Sequence, residues 1–66
     1  MDVVLYSTGC PKCKVLTSKL NEKGIEFTEN NSVEQMTTLG ITQVPVLSVD
    51  GQLMQFADAV KWVNLQ

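Results

Sequence analysis

Val3-Val4-Leu5-Tyr6-Ser7-Thr8-Gly9-Cys10-Pro11-Lys12-Cys13-Lys14-Val15-Leu16 is the stretch on which the fold turns. Val3 to Tyr6 is a run of β-forming residues, apolar at successive positions, which suits a strand covered on both faces. Ser7-Thr8-Gly9 reads as a turn. Pro11 then fits the first turn of a helix, where its missing N–H costs nothing. Cys13, Leu16 and Leu20 recur at helical spacing until Gly24 closes the segment. A strand thus runs through a short turn into an amphipathic helix, with one cysteine just ahead of that helix and the other one turn inside it.

Working outward, Ile25 to Glu29 alternates, Ile25 and Phe27 on one face with Glu26 and Thr28 on the other, which predicts a half-buried strand. Ser32 with Gln35 three residues on is a capping-box pattern, and Val33, Met36 and Leu39 supply an apolar face before Gly40, so a short second helix follows. Val44 to Val49 predicts another strand although Pro45 stands near its start. Asp50-Gly51 ahead of Gln52-Leu53-Met54 is a strong two-residue hairpin signal. From about Ala57, Ala59, Val60 and Val63, with Phe56 a turn earlier, line one face of a terminal helix that also carries Trp62. The order βαβ-α-ββα predicts an α/β fold: a four-stranded mixed sheet with three helices on its faces. Met36 and Met54 read as core filling. No repeat, linker or second domain interrupts the pattern, so residues 1–66 are expected to form a single domain.

Composition narrows the function. The 66 residues are 44% hydrophobic and 18% charged, as in an ordinary globular domain, and the formal net charge of -2 offers no electrostatic footprint for nucleic acid. The amino terminus shows no basic segment followed by a long apolar one, and no apolar run approaches the roughly 20 residues of a membrane helix. A soluble cytoplasmic monomer, away from membranes and nucleic acid, is the expectation.

The dithiol carries the chemistry. A thiol attacks a disulfide as its thiolate, and Cys10 lies where unsatisfied helix N–H groups, the positive end of the helix dipole, and Lys12 and Lys14 favour an anion. Cys13, on the apolar helix face, is the more shielded of the two. Cys10 is therefore the expected nucleophile and Cys13 the resolving thiol, exchanging with a substrate disulfide through a mixed disulfide. With no histidine in the chain, a Cys-His dyad is excluded. Three other readings compete. A structural disulfide across so short a loop gains only about 2 kcal/mol from loop entropy. A zinc site needs four ligands where only two cysteines stand, so no metal is expected. Two inert buried cysteines would not need this placement at a helix start. Pro45 is either the first residue of a strand, an edge-strand residue, or a cis proline that frees a backbone edge for an extended substrate.

Leu5-Tyr6-Ser7, Cys10-Pro11-Lys12-Cys13, Thr42-Gln43-Val44-Pro45-Val46 and the Asp50-Gly51 hairpin, in this order, resemble a glutaredoxin or glutaredoxin-like redoxin of the thioredoxin superfamily over nearly the whole chain. The resemblance implies the thioredoxin fold, a cis Pro45 beside the dithiol, and substrate backbone bonding at Val44. It also implies reduction of protein or glutathione mixed disulfides by Cys10 and Cys13, with no bound cofactor and glutathione or a reductase as electron donor. Tyr6, Pro11, Lys12 and Asp58 join Val44 and Pro45 as candidate substrate contacts. Where glutaredoxins carry a Gly-Gly pair after the hairpin, this chain has Gln55-Phe56. The alternative is a redox-sensing or protein-binding module with little turnover, reduced by thioredoxin reductase and not by glutathione.

Overall fold

The computed structural model describes residues 2–66. Its elements run β1 (Val3–Tyr6), α1 (Pro11–Glu22), β2 (Thr28–Asn30), α2 (Val33–Thr38), β3 (Val46–Val49), β4 (Gln52–Gln55) and α3 (Phe56–Asn64). The strands form one sheet in the order β2-β1-β3-β4. β1 pairs in parallel with β2, whereas β1 with β3 and β3 with β4 are antiparallel. This is the mixed sheet with three helices that the sequence pattern predicts.

Alternation along the strands sorts the faces. Val3, Leu5 and Leu47 meet Leu16 and Leu20 of α1 and Ala59 and Val63 of α3 in the main core, with Val49 and Met54 packed partly against it. Leu5, Leu16, Leu20 and Leu47 are completely shielded from solvent, each stabilising the fold by about 1.5–3 kcal/mol relative to exposure. The intervening residues Val4, Tyr6, Val46, Ser48 and Leu53 belong to the opposite face. Met36 on α2 and Val46 on β3 are also buried, outside the main cluster.

Both glycine stops close in the same way. Gly24 (φ +67°) donates its N–H to Asn21 and Ile25 donates to Leu20; Gly40 (φ +78°) donates to Thr37 and Ile41 to Met36. These are paired Schellman bonds, which satisfy carbonyls that α1 and α2 would otherwise leave free and need left-handed backbone at the glycine. Asp50 (φ 51°) and Gly51 (φ 88°) both have positive φ, the type I′ geometry that joins β3 to β4 without splaying them. Asp50 is further tied to the start of β1, its N–H donating to the Asp2 carbonyl and its carboxylate accepting from the Asp2 N–H.

Three boundaries move from their predicted places. β2 begins at Thr28, not Ile25, because the Ile25 N–H is spent on Leu20 in closing α1; Ile25 and Phe27 still pack against the core from irregular backbone. β3 begins at Val46, since the Val44-Pro45 segment precedes the ladder, and α3 begins one residue early, at Phe56. The capping box at α2 is half formed. The Ser32 hydroxyl accepts from the Gln35 N–H, but the Gln35 side chain accepts from Asn30 and does not return to Ser32.

Candidate active site

The parallel β1–α1–β2 unit places the dithiol at the carboxyl end of β1. Ser7 leaves the strand buried, its N–H donating to the Asn30 carbonyl (3.1 Å) and its hydroxyl to the Glu29 carboxylate (3.0 Å). The loop that carries Cys10 is thereby anchored to the end of β2. Gly9, at φ +82°, turns the chain into α1.

Cys10 is the N-cap of α1, in extended conformation, with Pro11 as the first helical residue. Its Sγ accepts a hydrogen bond from the Cys13 N–H at 3.1 Å, the role a serine or aspartate oxygen ordinarily plays at this position. Its carbonyl accepts the first helical bond, from Lys14. Cys10 and Cys13 are joined in a disulfide with their Cα atoms 5.0 Å apart. Cys13 retains only 1% of its surface, while Cys10 is partly exposed. One sulfur therefore meets the surface and the other is sealed behind it. When the disulfide is reduced, the N–H aimed at Cys10 and the positive end of the helix favour negative charge on the outer sulfur.

Beside this helix start lies a groove of about 250 Å³ whose walls include Lys12, Val44, Pro45, Gln55, Phe56 and Asp58. Four of the predicted contact residues, Lys12, Val44, Pro45 and Asp58, are thus brought together from three parts of the chain. The Val44-Pro45 peptide is cis, and Pro45 is buried at the entrance to β3, a central strand. The two other predicted contacts stand apart from this groove: Tyr6 is half-buried opposite Val46 in the β1–β3 ladder, and Pro11 is exposed next to Cys10.

Among the residues that wall the groove without having been predicted as contacts are Phe56 and Gln55. Phe56, read as a helix-face residue, packs partly on the core yet also walls the groove, with the Lys12 ammonium 5.5 Å from its ring centroid, within reach of a cation–π contact. Gln55 joins it from the end of β4. Their position directly after the hairpin was the one available signal. Trp62 is half-buried against the core and takes no part in the groove. A larger open depression, about 770 Å³, lies among Asp2, Val3 and the Gly24–Thr28 segment. It sits at the start of β1 and the end of α1, the opposite end from the dithiol. Among the described residues no cluster of three or more His, Cys, Asp or Glu is gathered to hold a metal ion, and no helix is long and apolar enough to cross a membrane.

The chain that carries this cysteine pair at a helix start, with a cis proline in the groove beside that helix, is similar in sequence to a known protein. Over 59 residues the chain is 36% identical to a thioredoxin of Methanothermobacter thermautotrophicus, in a match covering 80% of this chain and 77% of that protein. The chain belongs to the thioredoxin family. No protein-family model matches it. Within the thioredoxin family, then, this chain carries its dithiol as Cys10-Pro11-Lys12-Cys13 and walls its groove with Phe56.

Proposed function

We propose that this chain is a dithiol reductase of disulfides, with Cys10 as nucleophile and Cys13 as resolving thiol. The observation that carries the reading is the inequality of the two sulfurs: Cys10 caps the helix and meets the surface, while Cys13 is 1% exposed directly behind it. In the reduced protein the Cys10 thiolate attacks one sulfur of the substrate disulfide. A Cys10–substrate disulfide forms, and the other substrate sulfur leaves as a thiolate that takes up a proton. Cys13 then loses its proton and attacks Cys10 Sγ, so that the Cys10–Cys13 bond closes and the second substrate thiol departs. Two electrons have passed to the substrate, and an external thiol reductant must return them.

Lys12, Val44, Pro45 and Asp58 are the proposed groove contacts, with Pro11, next to Cys10 in the chain, and Tyr6, at the end of β1, as further proposed contacts. Membership of the thioredoxin family supports a thioredoxin reductase as electron donor. Glutathione is the second reading, favoured by the Leu5-Tyr6-Ser7 and Cys10-Pro11-Lys12-Cys13 signature. We place the activity in the cytoplasm, on protein or glutathione mixed disulfides, and assign no bound cofactor.

A coupled reduction assay separates the donors, run in parallel with NADPH and thioredoxin reductase and with glutathione and glutathione reductase. Turnover with the first and background with the second is the expected result. Cys13→Ser should accumulate a mixed disulfide with the substrate that dithiothreitol releases. Background rates for the fully reduced wild type on every disulfide tried would leave only a slow redox sensor or binding module.

A further inference from the structure

Charged side chains are divided unevenly between the two ends of this molecule. Asp2 and Asp50 are tied together at the start of β1, Glu22 closes α1, and Glu26 shares the depression there with Asp2, so four of the seven carboxylates lie at the end remote from the dithiol. At the dithiol end the first turn of α1 holds no acidic residue and carries Lys12 and Lys14, both exposed. Of the remaining carboxylates, Glu29 accepts the Ser7 hydroxyl bond, while Glu34 and Asp58 stand in the first turns of α2 and α3, where the positive helix end offsets their charge.

Lys12 is the cation best placed to meet a substrate. It lies between Cys10 and Cys13, whose Cα atoms are 5.0 Å apart, and its own Cα is one peptide, about 3.8 Å, from that of Cys13. Its ammonium is held 5.5 Å from the Phe56 ring centroid, and both residues belong to the wall that includes Val44 and the cis Pro45. Lys14, two positions on, is turned by about 200° around the helix and does not wall that groove. A cation fixed beside the attacking sulfur acts on whatever charge a substrate carries next to its own sulfur.

We propose that Lys12, held in place by the Phe56 ring, makes this dithiol selective for disulfides that carry a carboxylate beside the half-cystine. The proposal rests on the dithiol reading above and narrows its substrate class. Lys12 is then the specificity-determining residue and Phe56 a positioning residue that acts through it. Because Lys12 is exposed, the selectivity is about two- to fivefold and is screened by salt.

The test follows oxidation of the fully reduced protein by disulfides of similar size and different charge: anionic 3,3′-dithiodipropionate, neutral bis(2-hydroxyethyl) disulfide and cationic cystamine, with the rates read by thiol titration. Dividing each variant's rate by that of the wild type cancels the intrinsic reactivity of the disulfide. The anionic-to-neutral ratio should fall about two- to fivefold in Lys12→Gln and by a smaller factor in Phe56→Leu, while Phe56→Tyr, which keeps a ring face, should restore it. The cationic-to-neutral ratio should rise in Lys12→Gln. In Lys23→Gln, which loses the same charge about 16 Å further along the α1 axis, both ratios should stay within about 1.5-fold of wild type. Glutathione disulfide and the disulfide dimer of a Glu-Cys-Glu peptide present carboxylates from two sources, and the loss in Lys12→Gln should appear with at least one of them, which names the source. Ratios unchanged in Lys12→Gln, an equal loss in Lys23→Gln, or no loss with either carboxylate-bearing source would each overturn the selectivity, and a ratio unchanged in Phe56→Leu would overturn the positioning by Phe56. A reduced wild type that none of these disulfides oxidises would instead overturn the dithiol reading, and the selectivity with it.

Discussion

Cys10 combines two roles at one atom: its sulfur is the proposed nucleophile and also the acceptor that closes the amino end of α1. Two substitutions separate them. Cys10→Ser keeps an acceptor for the Cys13 N–H, whereas Cys10→Ala removes it and leaves that donor to water. Serine and alanine differ at an N-cap by about 1 kcal/mol, within a range of roughly 0.5–2. A chain of 66 residues is expected to hold only about 3–10 kcal/mol in total, so the cap is a sizeable share. In a domain of this size about 1 kcal/mol corresponds to roughly 4–8 °C in Tm. With Cys13 kept reduced in both variants, Cys10→Ala should melt several degrees below Cys10→Ser, and its urea midpoint should fall at unchanged slope. Far-ultraviolet circular dichroism reads both quantities, and a reductase assay should find both variants inactive. Indistinguishable midpoints would refute the capping role, and reductase activity retained by either variant would refute the assignment of the nucleophile.

Other outcomes follow from the same geometry. In the reduced wild type at pH 6, iodoacetamide should modify Cys10 about tenfold or more faster than Cys13, since one sulfur meets solvent at the helix start and the other is 1% exposed; peptide mass mapping reads the ratio, and equal rates would remove the inequality on which the mechanism stands. Leu47→Ala, at a fully shielded site on a central strand, should cost about 2–5 kcal/mol, enough to unfold much of the population, as chemical denaturation would show. Gly51→Val forces a β-branched residue to φ 88° in the hairpin turn and should cost about 1–2 kcal/mol or more, measured as a fall in Tm with the reductase rate per folded molecule retained.

Much of this protein is determined by short-range chemistry and is therefore readable from the chain alone. Pro11 starts α1, Gly24 and Gly40 end α1 and α2 through bonds spanning at most five residues, and Asp50-Gly51 specifies the hairpin. The apolar periods of Val3–Tyr6, Leu16–Leu20 and Ala59–Val63 choose the buried faces. The dithiol's place just before and inside a helix is equally local, and with it the unequal character of Cys10 and Cys13.

The groove was decided only by tertiary structure. β1 lies between β2 and β3, and its pairing of Tyr6 with Val46 brings the loop before β3 up to the loop after β1; no local propensity specifies that neighbourhood. The same holds for Ser7, whose tie to Glu29 spans 22 positions, and for Phe56, which helical periodicity assigns to the core and packing turns partly towards Lys12. The late start of β2 has a related cause, because alternation in Ile25–Glu29 records which side chains face inward but not where an N–H is already committed to closing α1. Side-chain periodicity reports burial, whereas strand register and groove walls depend on contacts between distant segments that form only when the whole core closes.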